Sequence, residues 1–343
     1  MKKLKKIFAP EEIIFVPTQE CNLRCAHCFV LKTSGKFDEE KALGFLKDAV
    51  NDGIMQVGFS GGEPFLAVDF MCRIISSAVE KGLYFDRLMT NAVAFKDAED
   101  MQQKIEKIFE AGFDGVFGIS YDAFHAQKAD DIALFIKTVE AVYKERNHVS
   151  IVCTKKDTAD EKTLLMLKEL AEKLDLSFEK ETQNALQDKQ IYFPDALIYK
   201  DKLETFINDG LEYDYIPVET ISFIEENALD ENAWQSSEWF AEDFCAGPGH
   251  VYYVHANGDV AACCGYANEC SDLILGNINT MSYKEIAAAA KKSCKKGFLR
   301  TVYKTGLLKE AEKLEKKGHK FPGKGHTKDN CLFCRYYLQN MEH

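Results

Sequence analysis

The sequence predicts an α/β protein: a partial (β/α)6 TIM-like barrel followed by a small carboxy-terminal domain organised by cysteines. Three observations predict it. Between about residues 13 and 180, short apolar or β-branched runs alternate with amphipathic stretches, and the two periods exchange every 25–35 residues. Beyond residue 181 that rhythm fails, and seven of the twelve cysteines fall in the last hundred residues. The length of 343 residues suits two domains, or one large barrel with an appendage.

In chain order, strands are expected at Ile13–Val16, Gln56–Phe59, Phe85–Thr90, Val116–Ser120, Ser150–Thr154 and Ser177–Lys180. Between them, Ala42, Phe45, Leu46, Ala49 and Val50 share one helical face, as do Ile132, Phe135, Ile136, Val139 and Val142, and Leu164, Leu167, Leu170 and Leu174. Parallel strands joined by right-handed crossover helices give a sheet or partial barrel. The expected division is an extension over 1–12, a barrel over 13–215, and a linker with the cysteine-rich domain over 216–343. Glu219–Phe244 carries many acids and no Lys or Arg, whereas Lys291–Lys328 carries 13 basic and three acidic residues, which reads as a solvated helix and loop or as an edge for an acidic partner.

Composition removes several classes. The chain is 46% hydrophobic and 29% charged, with 21 Gly and 7 Pro, which excludes collagen, low-complexity disorder and coiled coil. A net charge of −12 argues against nucleic acid or an anionic membrane as partner. No apolar run is long enough to span a bilayer, and the basic start Met1–Lys6 lacks the apolar core of a secretory signal. A cytoplasmic location is expected, where thiols stay reduced, so the cysteines read as metal or redox ligands rather than disulfides.

Directly after the first strand stands Cys21-Asn22-Leu23-Arg24-Cys25-Ala26-His27-Cys28-Phe29, a C-x3-C-x2-C spacing. So compact a loop can wrap one polynuclear centre, and three thiolates on a four-iron cluster leave one iron without a protein ligand. Zinc, completed by His27 or a distant cysteine, is the alternative. Gly61-Gly62-Glu63-Pro64 follows the second strand. Its glycines let the backbone bend and approach a ligand, and its proline stops the turn from drifting into helix.

The three-cysteine loop after strand one, together with this Gly-Gly-Glu-Pro turn after strand two, resembles the radical S-adenosylmethionine superfamily. The resemblance implies that Cys21, Cys25 and Cys28 ligate a [4Fe–4S] cluster whose fourth iron is chelated by S-adenosylmethionine, with the Gly61, Gly62, Glu63 and Pro64 turn receiving the amino group. One electron would then cleave the sulfonium bond and yield a 5′-deoxyadenosyl radical that takes a hydrogen atom from substrate. The protein aims and shields that radical, and a flavodoxin- or ferredoxin-type donor supplies the electron. Other strand ends should line the same rim: Thr90-Asn91, Ser120-Tyr121-Asp122 with His125, and Thr154. Asn91, Ser120 and Asp122 resemble family positions near the nucleoside, and each also reads as a helix cap or turn residue.

Far downstream, Cys245, Cys263 and the pair Cys331 and Cys334 form a four-ligand set that needs no open position. Gly258 to Cys263 reads as a hairpin turned at Asn257-Gly258. This part resembles the single-cluster twitch form of the SPASM appendage, which implies a second, auxiliary [4Fe–4S] cluster; structural zinc is the alternative. Whether Cys263 or Cys264 is the ligand stays open. Cys264 and Cys270 are candidate hydrogen-atom donors, which would turn abstraction into epimerisation; Cys72, Cys153 and Cys294 read as small buried hydrophobes.

The expected function is hydrogen-atom abstraction from a peptide or protein, as in maturation of ribosomal peptides by epimerisation or cross-linking. The same chemistry on a sugar-like natural product is a second reading, and a non-catalytic zinc or iron–sulfur electron-transfer module a third. Because the first loop begins at Cys21, little room is expected for a preceding peptide-recognition domain.

Overall fold

The computed structural model describes residues 9–28, 30, 38–125, 127–145, 147–155, 160–180, 195–199, 215–222, 231–241 and 250–341. Five of the expected strands appear at β1 Glu12–Phe15, β2 Gln56–Phe59, β3 Tyr84–Thr90, β4 Val116–Ser120 and β5 Val149–Lys155. They pair in parallel and in sequence order. The crossovers carry helices α1 Glu39–Val50, α2 Val68–Glu80, α3 Ala98–Glu110 and α4 Ala129–Tyr143; α5 Asp160–Lys173 follows β5. Each of the four buries its apolar stripe on one face of the sheet, as Ala42, Phe45, Leu46 and Ala49 do on α1. Asp38 caps α1 by accepting from the N–H groups of Glu40 and Lys41, which satisfies donors that a helix start leaves unpaired.

The sixth strand is not the expected one. β6 Leu176–Lys180 forms, but at the far edge, antiparallel to β7 Asp195–Tyr199, which is antiparallel to β8 Tyr215–Ser222. β8 is the strand that lies parallel beside β5. A boundary at residue 215 therefore cuts a strand, whose Ile216 and Val218 are buried. The six-unit count from rhythm reached the right number by way of the wrong strand, because a hairpin-like excursion interrupts the βα alternation.

The carboxy-terminal region extends the same sheet. β9 Val251–Val254 pairs in parallel with β1, then β10 Asp259–Ala261 and β11 Ile274–Asn277 run antiparallel beyond it. The expected turn at Asn257-Gly258 joins β9 to β10, with Gly258 at φ +90°. A Cβ there would stand 2.5 Å from Asn279 Nδ2, so glycine is required twice over. Three longer helices follow among the described residues: α6 Tyr283–Lys296, started by a capping box of Ser282 and Glu285, α7 Leu307–Lys316 and α8 Asn330–Asn340. Among the described residues no helix is long and apolar enough to cross a membrane.

Candidate active site at the strand ends

Cys21, Cys25 and Cys28 leave the carboxyl end of β1 as free thiols; the first two are half-buried and Cys28 is exposed. Cys21 Sγ accepts the Leu23 N–H at 3.4 Å and the Asn91 side-chain amide at 3.6 Å. Burial pushes the Cys21 thiol up and the Leu23 N–H opposes it, while Glu63, Cys25 and Cys28 add to the rise. A bound cation would reverse that penalty.

The glycine turn is seated against the root of this loop. Gly62 N–H donates to the Thr18 carbonyl at 3.0 Å and Glu63 N–H to the Glu20 carbonyl at 2.8 Å. A Cβ at Gly61, where φ is +127°, would stand 2.4 Å from Val16 Cγ1, and one at Gly62 would stand 2.1 Å from the Glu20 oxygen. The glycines are needed first for this contact between two turns. Glu63 points inward and is fully buried. Its carboxylate accepts the Phe65 N–H at 3.1 Å, the Thr90 hydroxyl at 2.8 Å and the Asn91 N–H at 2.8 Å. Burial raises it to about 7 against these bonds, and Pro64 opens a short helical turn behind it. Glu63 and Pro64 thus brace the turn from within, and only its backbone is left to meet a ligand.

Asn91 is placed beside the loop: its amide donates to Asn22 Oδ1 at 2.8 Å as well as to Cys21. Ser120 lies half-buried at the end of β4. Gln127, which the sequence reading passed over, donates from one Nε2 to the carbonyls of both Asn91 (2.6 Å) and Ser120 (2.8 Å), clamping the ends of β3 and β4. Asp122 lies inside the fold. It is fully buried: Oδ1 accepts the N–H of Phe124 and of His125 and the His125 ring at 2.8 Å, and Oδ2 accepts the Thr154 N–H at 2.7 Å. In this arrangement Asp122 ties β4 to β5 and orients His125. Burial would raise this carboxyl, yet the His125 bond and the two backbone donors outweigh it and hold it low. His125 faces Cys25 and stacks edge-on against His27 at 4.7 Å.

Inside the barrel, Arg87 of β3 crosses to Glu219 of β8 in a two-pronged ion pair of 2.9 and 2.7 Å. Room for its side chain comes from Gly118, where a Cβ would stand 2.6 Å from Arg87 Cδ. An arginine in β3 and a glycine in β4 were the available signal.

In the carboxy-terminal region, Cys263 and Cys334 are 3% and 4% exposed, and Cys331 is half-buried. Cys331 and Cys334 lie about one turn apart at the start of α8, which is capped by Asp329 accepting the N–H of Cys331 and Leu332. Gly265 N–H donates to Cys263 Sγ at 3.3 Å and Tyr266 N–H to Cys331 Sγ at 3.2 Å. A Cβ at Gly265 would stand 2.4 Å from Cys331 Sγ and 3.8 Å from Cys263 Sγ. Burial pushes Cys263 well up, and Cys331, Cys264 and Cys334 add to it. Three gathered thiols, a glycine cradle and two N–H donors on sulfur fit a thiolate-held cluster. Cys264 is exposed, whereas Cys263 turns toward Cys331, which favours Cys263 as the ligand. Cys270 packs half-buried near Arg335, and Cys245 lies outside the described residues. Among the described residues, His27, Asp122 and His125 also bring one ligand atom each within 4.8 Å of one another.

A parallel sheet thus presents a three-thiol loop and a glycine turn at its strand ends, with a second, more enclosed thiol set in the carboxy-terminal region. Residues 15–167 match the Radical SAM superfamily, and residues 245–312 match the SPASM iron-sulfur cluster-binding domain. Residues 15–167 thus form a radical SAM domain and residues 245–312 a SPASM domain, and iron–sulfur clusters and S-adenosylmethionine are the groups these domains imply. PqqA peptide cyclase of Granulibacter bethesdensis is 27% identical over 133 residues, 38% of this chain and 33% of that protein. GTP 3′,8-cyclase of Listeria welshimeri is 28% identical over 169 residues, 42% of this chain and 49% of that protein. The chain thus spans about a third to a half of the length of these curated relatives. Streptococcus suis SuiB bound to S-adenosylmethionine aligns over 97% of this chain and 72% of its own at 15% identity, with a TM-score of 0.47.

Proposed function

We propose that this chain cleaves S-adenosylmethionine reductively and directs the resulting radical to a hydrogen atom of a peptide or protein substrate, in a maturation reaction of the epimerisation or cross-linking kind. Cys21, Cys25 and Cys28 would hold the first cluster, and Cys245, Cys263, Cys331 and Cys334 the auxiliary one. When bound, the first cluster supplies the electron that breaks the sulfonium bond, drawn from a flavodoxin- or ferredoxin-type donor. The chain's own work is placement. The Gly61–Glu63 backbone receives the methionyl amine, Asn91 and Ser120 border the nucleoside, and Glu63, Gln127 and Asp122 fix those groups from behind so that little reorganisation remains at reaction. Cys264 and Cys270 are the thiols proposed to return a hydrogen atom in an epimerisation.

The observation that carries this reading is the seating of the Gly61-Gly62 turn on Thr18–Glu20, at the root of a loop with three cysteines outside any disulfide. Similarity to the PqqA peptide cyclases favours a peptide; similarity to GTP 3′,8-cyclase favours a small molecule as second reading. Anaerobic reconstitution should load about eight irons per chain and give dithionite-dependent 5′-deoxyadenosine. Deuterium from a perdeuterated peptide fraction of cell extract should enter that nucleoside and cease to do so after protease treatment. Transfer only from the small-metabolite fraction would move the substrate to the second reading, and stoichiometric zinc without nucleoside would replace the enzyme by a binding module.

A further inference from the structure

Apart from the main core, a second small apolar cluster lies on the sheet's inner face: Val16 after β1, Tyr253 of β9, Ala256 in the following turn and Ala261 of β10, with Ile14 and Ile274 against it. Sheet register assembles it, because Tyr253 pairs with Ile14 on one side and with Ala261 on the other. Three of its four fully packed members come from the carboxy-terminal extension. The fourth, Val16, is the side chain whose Cγ1 fills the place of a Cβ at Gly61, 2.4 Å away. Tyr253, 4% exposed, also lies beside the Ser60 side chain, one residue before that glycine. Ser60 itself is anchored by its N–H to the Phe15 carbonyl at 3.0 Å.

We propose that the carboxy-terminal extension, through Tyr253, holds the Ser60–Glu63 turn in its ligand-receiving conformation, so that Tyr253 is a positioning residue for S-adenosylmethionine. The inference rests on the proposed function of that turn. A rigid apolar plug supports Val16 against Gly61, and the phenol fixes Ser60, so the turn cannot relax away from the cysteine loop without disturbing β9. The auxiliary-cluster region is then a structural part of the first site as well as a neighbour to it.

The test is a double-mutant cycle on S-adenosylmethionine affinity, measured by equilibrium dialysis on unreduced, iron-reconstituted protein, in which Tyr253→Phe and Ser60→Ala are made singly and together. Each single change should weaken binding about fivefold, as expected for one buried hydrogen bond. The double variant should be no weaker than either, with iron content unchanged in all three. Unaltered affinity in the single variants, or multiplicative losses in the double, would overturn the proposal. Failure of the unmutated protein to bind S-adenosylmethionine would overturn the functional reading of the turn itself.

Discussion

The two cysteine sets of this molecule are built in opposite ways. Cys21, Cys25 and Cys28 sit on a loop, half-buried to exposed, with the rim of a parallel sheet around them. Cys263 and Cys334 are almost wholly enclosed, Cys331 is gripped by the Tyr266 N–H, and two of the three stand on a capped helix. An open loop leaves room for an exchangeable ligand, whereas a closed nest suits a group that stays. Under the proposed function, reactivity belongs to the first set and permanence to the second.

The largest effects should separate the two. Cys25→Ala is expected to lose about half of the iron and all nucleoside release, whereas Cys331→Ala should lose the other half and retain part of that release. Iron analysis beside product chromatography reads both; abolished release in Cys331→Ala with four irons still bound would erase the distinction. Next come the glycine cradles. Gly265→Ala puts a methyl 2.4 Å from Cys331 Sγ, and Gly62→Ala puts one 2.1 Å from the Glu20 oxygen. Each should cost about 1–3 kcal/mol by overpacking, the first read as loss of auxiliary iron and the second as loss of S-adenosylmethionine binding.

A smaller, pH-dependent effect belongs to the interior. Glu12 and Glu63 are both raised to about 7, chiefly by burial. An acid whose folded pKa is raised keeps its proton in the native state while the unfolded chain has released it. Stability of the apoprotein should therefore fall as pH rises from about 4.5 to about 7 and level off above that. Urea midpoints across this range measure it, and Glu12→Gln should flatten the slope. A stability that climbs through the window would contradict the burial argument. The smallest change is expected at Arg87 and Glu219, whose side chains remain 31% and 42% exposed. Neutralising either should cost about 0.5–1 kcal/mol, read by thermal unfolding; a loss several times larger would mean that the ion pair holds β8 in place.

Much of this was legible in the sequence because its signals are local. Residue spacing marked the three-cysteine loop, and period changes marked β1 to β5. What sequence could not give were contacts between distant segments. β8 replaced β6 as the sixth parallel strand because pairing depends on where the excursion through β7 returns the chain, which hydrophobic pattern does not encode. At Asp122 an acid at a strand end is equally suited to binding and to tying backbone N–H groups, and its bonds to Thr154 and His125 appear only in the fold. Gln127 and Tyr253 carried no motif at all. Their roles come from the strand ends and the neighbouring strand that they bridge, 7 and 193 residues distant in the cases of Ser120 and Ser60.

Electron paramagnetic resonance of the dithionite-reduced, reconstituted protein, recorded with and without S-adenosylmethionine, tests the contrast most directly. One of two cluster signals should change on addition of the ligand, vanish in Cys25→Ala and persist in Cys331→Ala. A ligand-responsive signal that disappears in Cys331→Ala and survives in Cys25→Ala, or no responsive signal in the unmutated protein, would contradict it.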